Sequence, residues 1–327
     1  VPIRTPSTST PSPNTPATHQ RSRPCTRPRR AGLLGGPTPI LIAALLWGTT
    51  GTASALAPAT APAAAIGCAG LTLGGLLLYV TSRGARALPA ACTRGERWLL
   101  ALGALAVAGY PVTFYPAVAR TGVAVATVIA LGSAPVFAGL LSWATGQSRP
   151  TARWTAATAA AVLGCTLLVL GPRFSGEGEP LDMTGVALAA CGGLSYAVYS
   201  LIGGRLIAGG HESDAVMGVL FGAAGVLVLP LVAGTDARWL TEPRGAAVAL
   251  YLALFTVALA YRLYGHGLRR TPASVATTLT LAEPAVAAVL GVAALGERLP
   301  VPSWCGLAVL GLGLALLTGG RSGGAGS

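Results

Sequence analysis

The stretch TLTLAEPAVAAVLGVAALGERLP, residues 278–300, is apolar for most of its length, yet it sets a carboxylate, Glu283, directly before a proline, Pro284. A soluble core accepts neither gladly. A buried charge needs a partner, and a proline inside a helix removes a backbone donor and clashes with the preceding turn. In a bilayer the same pair makes sense. Ionisable groups in membrane spans mark working sites, and broken backbone is tolerated where it lines a cavity. The solvent in which this segment folds therefore decides the fold.

The rest of the 327-residue chain answers for a membrane. Apolar residues make up 53% of it and charged residues only 10%, against roughly a quarter charged in soluble domains. A helix crossing the hydrocarbon needs about 20 mainly apolar residues. Runs of that kind fall at about 39–57, 62–82, 97–117, 121–145 and 154–171, then, after the polar break FSGEGEPLDMT (174–184), at 185–208, 214–233, 245–266, 272–295 and 303–319. Many are rich in Ala and Gly, which lets helices approach closely.

The chain also repeats itself. RTGVAVATVIALGSAPVFAGLLSWATGQSRPTARW (120–154) and RTPASVATTLTLAEPAVAAVLGVAALGERLPVPSW (270–304) align without gaps at an offset of 150, with 13 identities in 35 positions. The matches include Arg120/Arg270, Thr121/Thr271, Gly146/Gly296, Pro150/Pro300 and Trp154/Trp304. Five spans per unit is an odd number, so the second unit enters the membrane from the opposite side, the inverted-repeat plan of many secondary transporters. The expected fold is an all-α polytopic membrane protein of ten transmembrane helices in two inverted five-helix repeats. Its expected domains are a disordered basic tail (1–37), a first repeat (38–172), a second repeat (184–320) and a short cytoplasmic tail (321–327).

Every one of the 22 basic residues is arginine, which excludes a P-loop or Schiff-base lysine. The net charge of +12 is concentrated at span edges and in the N-terminal tail, with few aromatics beside it, so no nucleic-acid partner is expected. With the N-terminus inside, 16 arginines lie on the cytoplasmic side and five outside, with Arg262 in the eighth span. The positive-inside rule then places both termini in the cytoplasm and the protein in the cell membrane. The tail has no apolar h-region of signal-peptide type beside its basic residues, so no cleaved signal peptide is expected. The six cysteines show no CxxC pair, and His19, His211 and His266 are far apart. Neither a metal centre nor a cofactor is expected.

At three places the residues resemble the drug/metabolite transporter superfamily of EamA type: LLWGTT (45–50), LGSAPVFAGLL (131–141) and LAEPAVAAVLGVAALGERL (281–299). The fourth span departs from that pattern, ending WATGQSRP rather than in an LGE-like sequence. The resemblance covers about residues 39–319 and implies ten spans and carrier-mediated movement of small metabolites, often amino acids or related compounds, frequently outward. The main alternatives are a polytopic membrane enzyme, such as a lipid-modifying transferase, and a non-transporting scaffold. Enzyme chemistry of that kind needs a nucleophile–base pair or metal ligands, and the sequence displays no such cluster.

The candidate site is a substrate cavity with no catalytic residue. Glu283 lies about 12 residues into the ninth span, or about 18 Å deep, near mid-membrane. It serves either the cavity, where protons could be coupled to transport, or a helix–helix hydrogen bond. Pro284 should deprive the carbonyl near Thr280 of its helical partner. The repeat-related position is Ser133, followed at Pro135 by a second expected kink. Trp47 and Tyr196, related by an offset of 149, and Tyr110 are candidate cavity walls or packing residues. Arg262 either snorkels to the interface or meets an anionic substrate. The sequence specifies no oligomeric state.

Overall fold

Among the described residues eight helices are long and apolar enough to cross a membrane; one of them, Arg94–Ala144, is long enough for two spans, and a shorter apolar helix precedes them all. In the computed structural model the described residues are 36–147, 149–170, 182–234, 237–295 and 300–318. The basic tail up to residue 35, the 321–327 tail, Arg173, Glu179, Asp236 and the GERL end of the ninth-span motif (296–299) lie outside them. The first span, α1, is Thr38–Gly48 continued by Thr50–Ser54; α2 is Ala63–Thr81. The helix Arg94–Ala144 holds two spans, α3 (94–121) and α4 (123–144), and α5 is Ala152–Leu170. The second repeat comprises α6 (Met183–Ala208), α7 (Ser213–Ala233), α8 (Pro243–Leu268), α9 (Ala273–Leu279 and Ala282–Leu295) and α10 (Val301–Thr318). Large apolar side chains such as Leu73, Leu105, Leu229 and Leu312 are exposed around the outside, as a surface facing lipid requires.

Local chemistry sets the ends. Thr93 and Glu96 form a capping box at the start of α3, satisfying orphan N–H groups reciprocally. Asp182 caps α6 by accepting from the N–H groups of Thr184 (2.8 Å) and Gly185 (3.2 Å). Between α3 and α4 no loop forms. The helix turns on Gly122 alone, with φ +79° and ψ 159°, a conformation closed to most side chains.

The packing is related twofold. α2 packs on α7, and α5 on α10, each helix against its own repeat partner. α1 lies against α8 and α9, while α6 lies against α3 and α4, the same arrangement seen from the other repeat. Small residues permit this. A Cβ on Gly164 of α5 would lie 2.8 Å from the Gly306 carbonyl of α10, and one on Gly306 would lie 2.7 Å from the Gly164 carbonyl. Reciprocal backbone contact of this kind gives membrane helices dispersion energy that lipid cannot match.

Candidate functional site

The ninth span breaks at the place where its sequence is strangest. Its first segment ends at Leu279, Thr280 turns with φ −71° and ψ −10°, and the helix resumes at Ala282. The carbonyl of Thr280 keeps a partner after all: the Glu283 N–H donates to it at 3.0 Å. The proline therefore tightens the turn instead of leaving an orphan acceptor. Three side-chain bonds hold the turn. Tyr196 donates its hydroxyl to Thr280 Oγ1 at 2.8 Å, Thr280 donates on to the Thr277 carbonyl at 2.9 Å, and Thr278 Oγ1 pairs with Thr158 Oγ1 at 3.0 Å.

Glu283 faces a central cavity of about 240 Å³ walled by both repeats. Trp47, Tyr110 and Tyr196 line it together with Tyr199, Tyr261 and Phe221. The rings brace each other: Trp47 and Tyr261 centroids are 4.9 Å apart, Tyr196 and Tyr199 5.2 Å, and Phe221 and Tyr261 3.8 Å. Tyr199 and Tyr261 hydroxyls meet at 3.2 Å. Among the described residues the Glu283 carboxylate has no ion-pair or hydrogen-bond partner, and the cavity wall carries no basic side chain. A carboxylate at this depth without a counter-charge costs several kcal/mol, roughly 2.5–3.5 on insertion scales, unless a ligand, water or a proton answers it.

One wall element left no mark in the sequence. Leu252–Leu259 of α8 is wound as a π-helix, a form that frequently accompanies functional sites. Its Thr256 carbonyl accepts from Trp47 Nε1 at 2.8 Å. No proline or glycine lies in that segment, so periodicity alone reads it as ordinary helix. The glycine after Trp47 has a plainer role. A Cβ on Gly48 would lie 2.6 Å from Val286 Cβ and 3.0 Å from the Glu283 carbonyl. Gly48 thus lets α1 close onto the broken part of α9.

The remaining candidates stand elsewhere. Ser133 donates to its own helix, to the Ala130 carbonyl at 3.3 Å, and abuts Gly193 of α6. Pro135 is buried within an uninterrupted helix, and neither residue lines the cavity. Pro284 is buried behind the turn. Arg262 sits at one face of the bundle, its Nε 3.0 Å from Asp214 Oδ1 and one terminal nitrogen 3.0 Å from Thr81 Oγ1. It ties α8 to α7 and α2 and does not meet Glu283.

Comparison with known proteins agrees with this architecture. The model of the EamA-like transporter family matches residues 35–170 and again 183–319. The uncharacterized transporter YwfM of Bacillus subtilis is 40% identical over 281 residues, covering 85% of this chain and 92% of that protein. The threonine/homoserine exporter RhtA of Salmonella typhimurium is 40% identical over 144 residues, 42% of this chain and 45% of RhtA, less than half of its length. A solved crystal structure only 21% identical covers 86% of this chain and 96% of its own with a TM-score of 0.70, a likeness of fold.

Proposed function

Since the chain belongs to the EamA-like transporter family, we propose that this membrane transporter is a secondary carrier of small metabolites bearing an amino group, amino acids or their relatives. It moves them outward by alternating access.

The observation that carries this reading is the Glu283 carboxylate, without a partner among the described residues, inside an aromatic-walled cavity shared by both repeats. Ring faces attract cations, and a lone carboxylate supplies the opposite charge, so the cavity suits an ammonium group. A volume of about 240 Å³ falls below the roughly 300–1,000 Å³ of drug-sized pockets, which favours a small solute. RhtA, a threonine/homoserine exporter, supports the amino-acid class and the outward direction over the part of its length that matches.

The two faces of the bundle differ in a way that suits alternating access. At one, the Arg262–Asp214 pair bridges α8 and α7. Towards the other end of α8, a wider cavity of about 860 Å³ opens beside Thr52, Arg244 and Tyr251. In the wall of that cavity, Thr49 Oγ1 and the Tyr251 hydroxyl meet at 2.8 Å. We read this as an outward-facing conformation with the arginine-rich side, expected to be cytoplasmic, closed.

The test is counterflow in reconstituted vesicles with a panel of amino acids, with and without a pH gradient. At least one amine-bearing solute should exchange. Exchange confined to anionic or uncharged solutes would overturn the ammonium reading.

A further inference from the structure

The sequence scatters its cysteines and histidines, and no metal cluster is expected from their spacing. The fold gathers three possible ligands away from the central cavity. Cys92 follows the short helix Leu88–Ala91; Glu96 lies in the first turn of α3; His211 lies between α6 and α7, beyond Gly210 with its φ of +102°. His211 Nε2 is 3.1 Å from Glu96 Oε1 and 3.9 Å from Cys92 Sγ, and all three donor atoms lie within 4.8 Å of one another.

Each ligand is aimed by its surroundings. Glu96 Oε2 accepts from the Thr93 N–H and hydroxyl, both at 2.8 Å, which fixes the carboxylate and leaves Oε1 turned to the histidine. Cys92 is buried, with 3% of its surface exposed. The His211 N–H donates to the Leu206 carbonyl at 3.2 Å, which anchors the loop that carries the ring. One imidazole nitrogen offers a single in-plane direction, either one proton or one lone pair, yet a carboxylate oxygen and a thiol sulfur both converge on it. A single linear hydrogen bond cannot serve both. A cation between the three atoms can.

The geometry points to a Zn²⁺-class site formed by Cys92 Sγ, Glu96 Oε1 and His211 Nε2, joining the first repeat to the second at one face of the bundle. With Zn–S near 2.3 Å and Zn–N and Zn–O near 2.0–2.2 Å, tetrahedral ligand atoms stand about 3.3–3.6 Å apart. The separations above bracket that spacing. One thiolate, one imidazole and one carboxylate form a borderline donor set that suits zinc over calcium or magnesium. His211 also lines a cavity of about 530 Å³, which gives the ion an entry path and water for a fourth position. Thr93 then orients the carboxylate ligand from behind.

Co²⁺, a spectroscopic stand-in for Zn²⁺, tests this on the full chain in detergent. One Co²⁺ per chain should bind with a sulfur-to-cobalt charge-transfer band, and Zn²⁺ should displace it. Cys92→Ser should abolish the band, and His211→Asn and Glu96→Gln should each weaken affinity at least about tenfold. A chain in which Cys25, Cys68, Cys165, Cys191 and Cys305 are all replaced should keep the band, a positive result that does not depend on any ligand variant folding. Absence of the band in the wild-type chain, its survival in Cys92→Ser, or unchanged affinity in His211→Asn would overturn the site and leave a histidine–glutamate pair beside a packed thiol.

Discussion

The fourth and ninth spans occupy related positions in the two repeats and have diverged in one respect. Both receive a glycine of the opposite repeat, on stretches that overlap at the Glu283/Ser133 position. Gly48 of α1 lies on Glu283 and Val286, and Gly193 of α6 lies on Ala130 and Ser133. The packing is thus symmetric, while the chemistry is not. α4 runs through Pro135 without interruption, and its Ser133 hydroxyl is spent on its own helix. α9 breaks at Thr280, and its carboxylate faces the cavity. The twofold plan builds the chamber, and one half of it supplies the charge.

The strongest test of that asymmetry is a pair of substitutions. Glu283→Gln should raise the half-saturation concentration for an amine substrate about 10- to 100-fold, the scale of a charge-assisted hydrogen bond of about 1.5–3 kcal/mol. Ser133→Ala should change it less than about twofold. Equal losses in counterflow would mean that both halves carry the site.

The packing symmetry predicts similar damage on both sides. Gly48→Ala would bring a methyl 2.6 Å from Val286 Cβ, and Gly193→Ala would bring one 2.5 Å from the Ala130 carbonyl. Each should destabilise the protein by about 1–3 kcal/mol, the usual cost of overpacking. Thermal melts in detergent would read this, and an unaffected Gly193→Ala chain would refute the correspondence.

Tyr196→Phe should have a smaller effect confined to the second repeat. It removes the bond to Thr280 at the break, worth about 0.5–1.5 kcal/mol net, so substrate affinity should fall about two- to tenfold with the bundle intact. Wild-type affinity would show that the turn keeps its shape without Tyr196.

The smallest effect lies at the hinge between α3 and α4, where Arg120 meets Asp182 at 3.1 Å. The Arg120 hydrogen bond, helped by the Gly185 and Thr184 N–H groups, holds the Asp182 carboxyl below the usual carboxylate range. Its contribution is present above the unfolded value of about 3.9 and is lost as pH falls through the lower folded value. Arg120→Ala should slightly lower the melting temperature near neutral pH, and the gap to wild type should close under strong acid. A gap that widens with acid would reverse the assignment.

Much of this was legible in the residues. The ten apolar runs give the helices, the Arg120–Trp154 and Arg270–Trp304 segments give the repeat, and the Glu283–Pro284 pair gives the break. What escaped depends on distant parts of the chain meeting. Arg262 found Asp214 across 48 residues, and His211 found Glu96 across 115. The π-helical segment holds no breaker residue, and its Thr256 carbonyl accepts from the distant Trp47 indole. Pro135 differs from Pro284 in that its helix continues without a break of the kind seen at Thr280.

The central claim is that Glu283 receives the ammonium of the substrate, and a cycle that removes either partner tests it most directly. Exchange would be compared for a transported amino acid and its N-acetyl derivative, in wild-type and Glu283→Gln vesicles. The account predicts that wild type prefers the free amine at least about tenfold, and that the preference collapses in the Gln chain because the amine and the carboxylate are coupled. The same preference in both chains would contradict it.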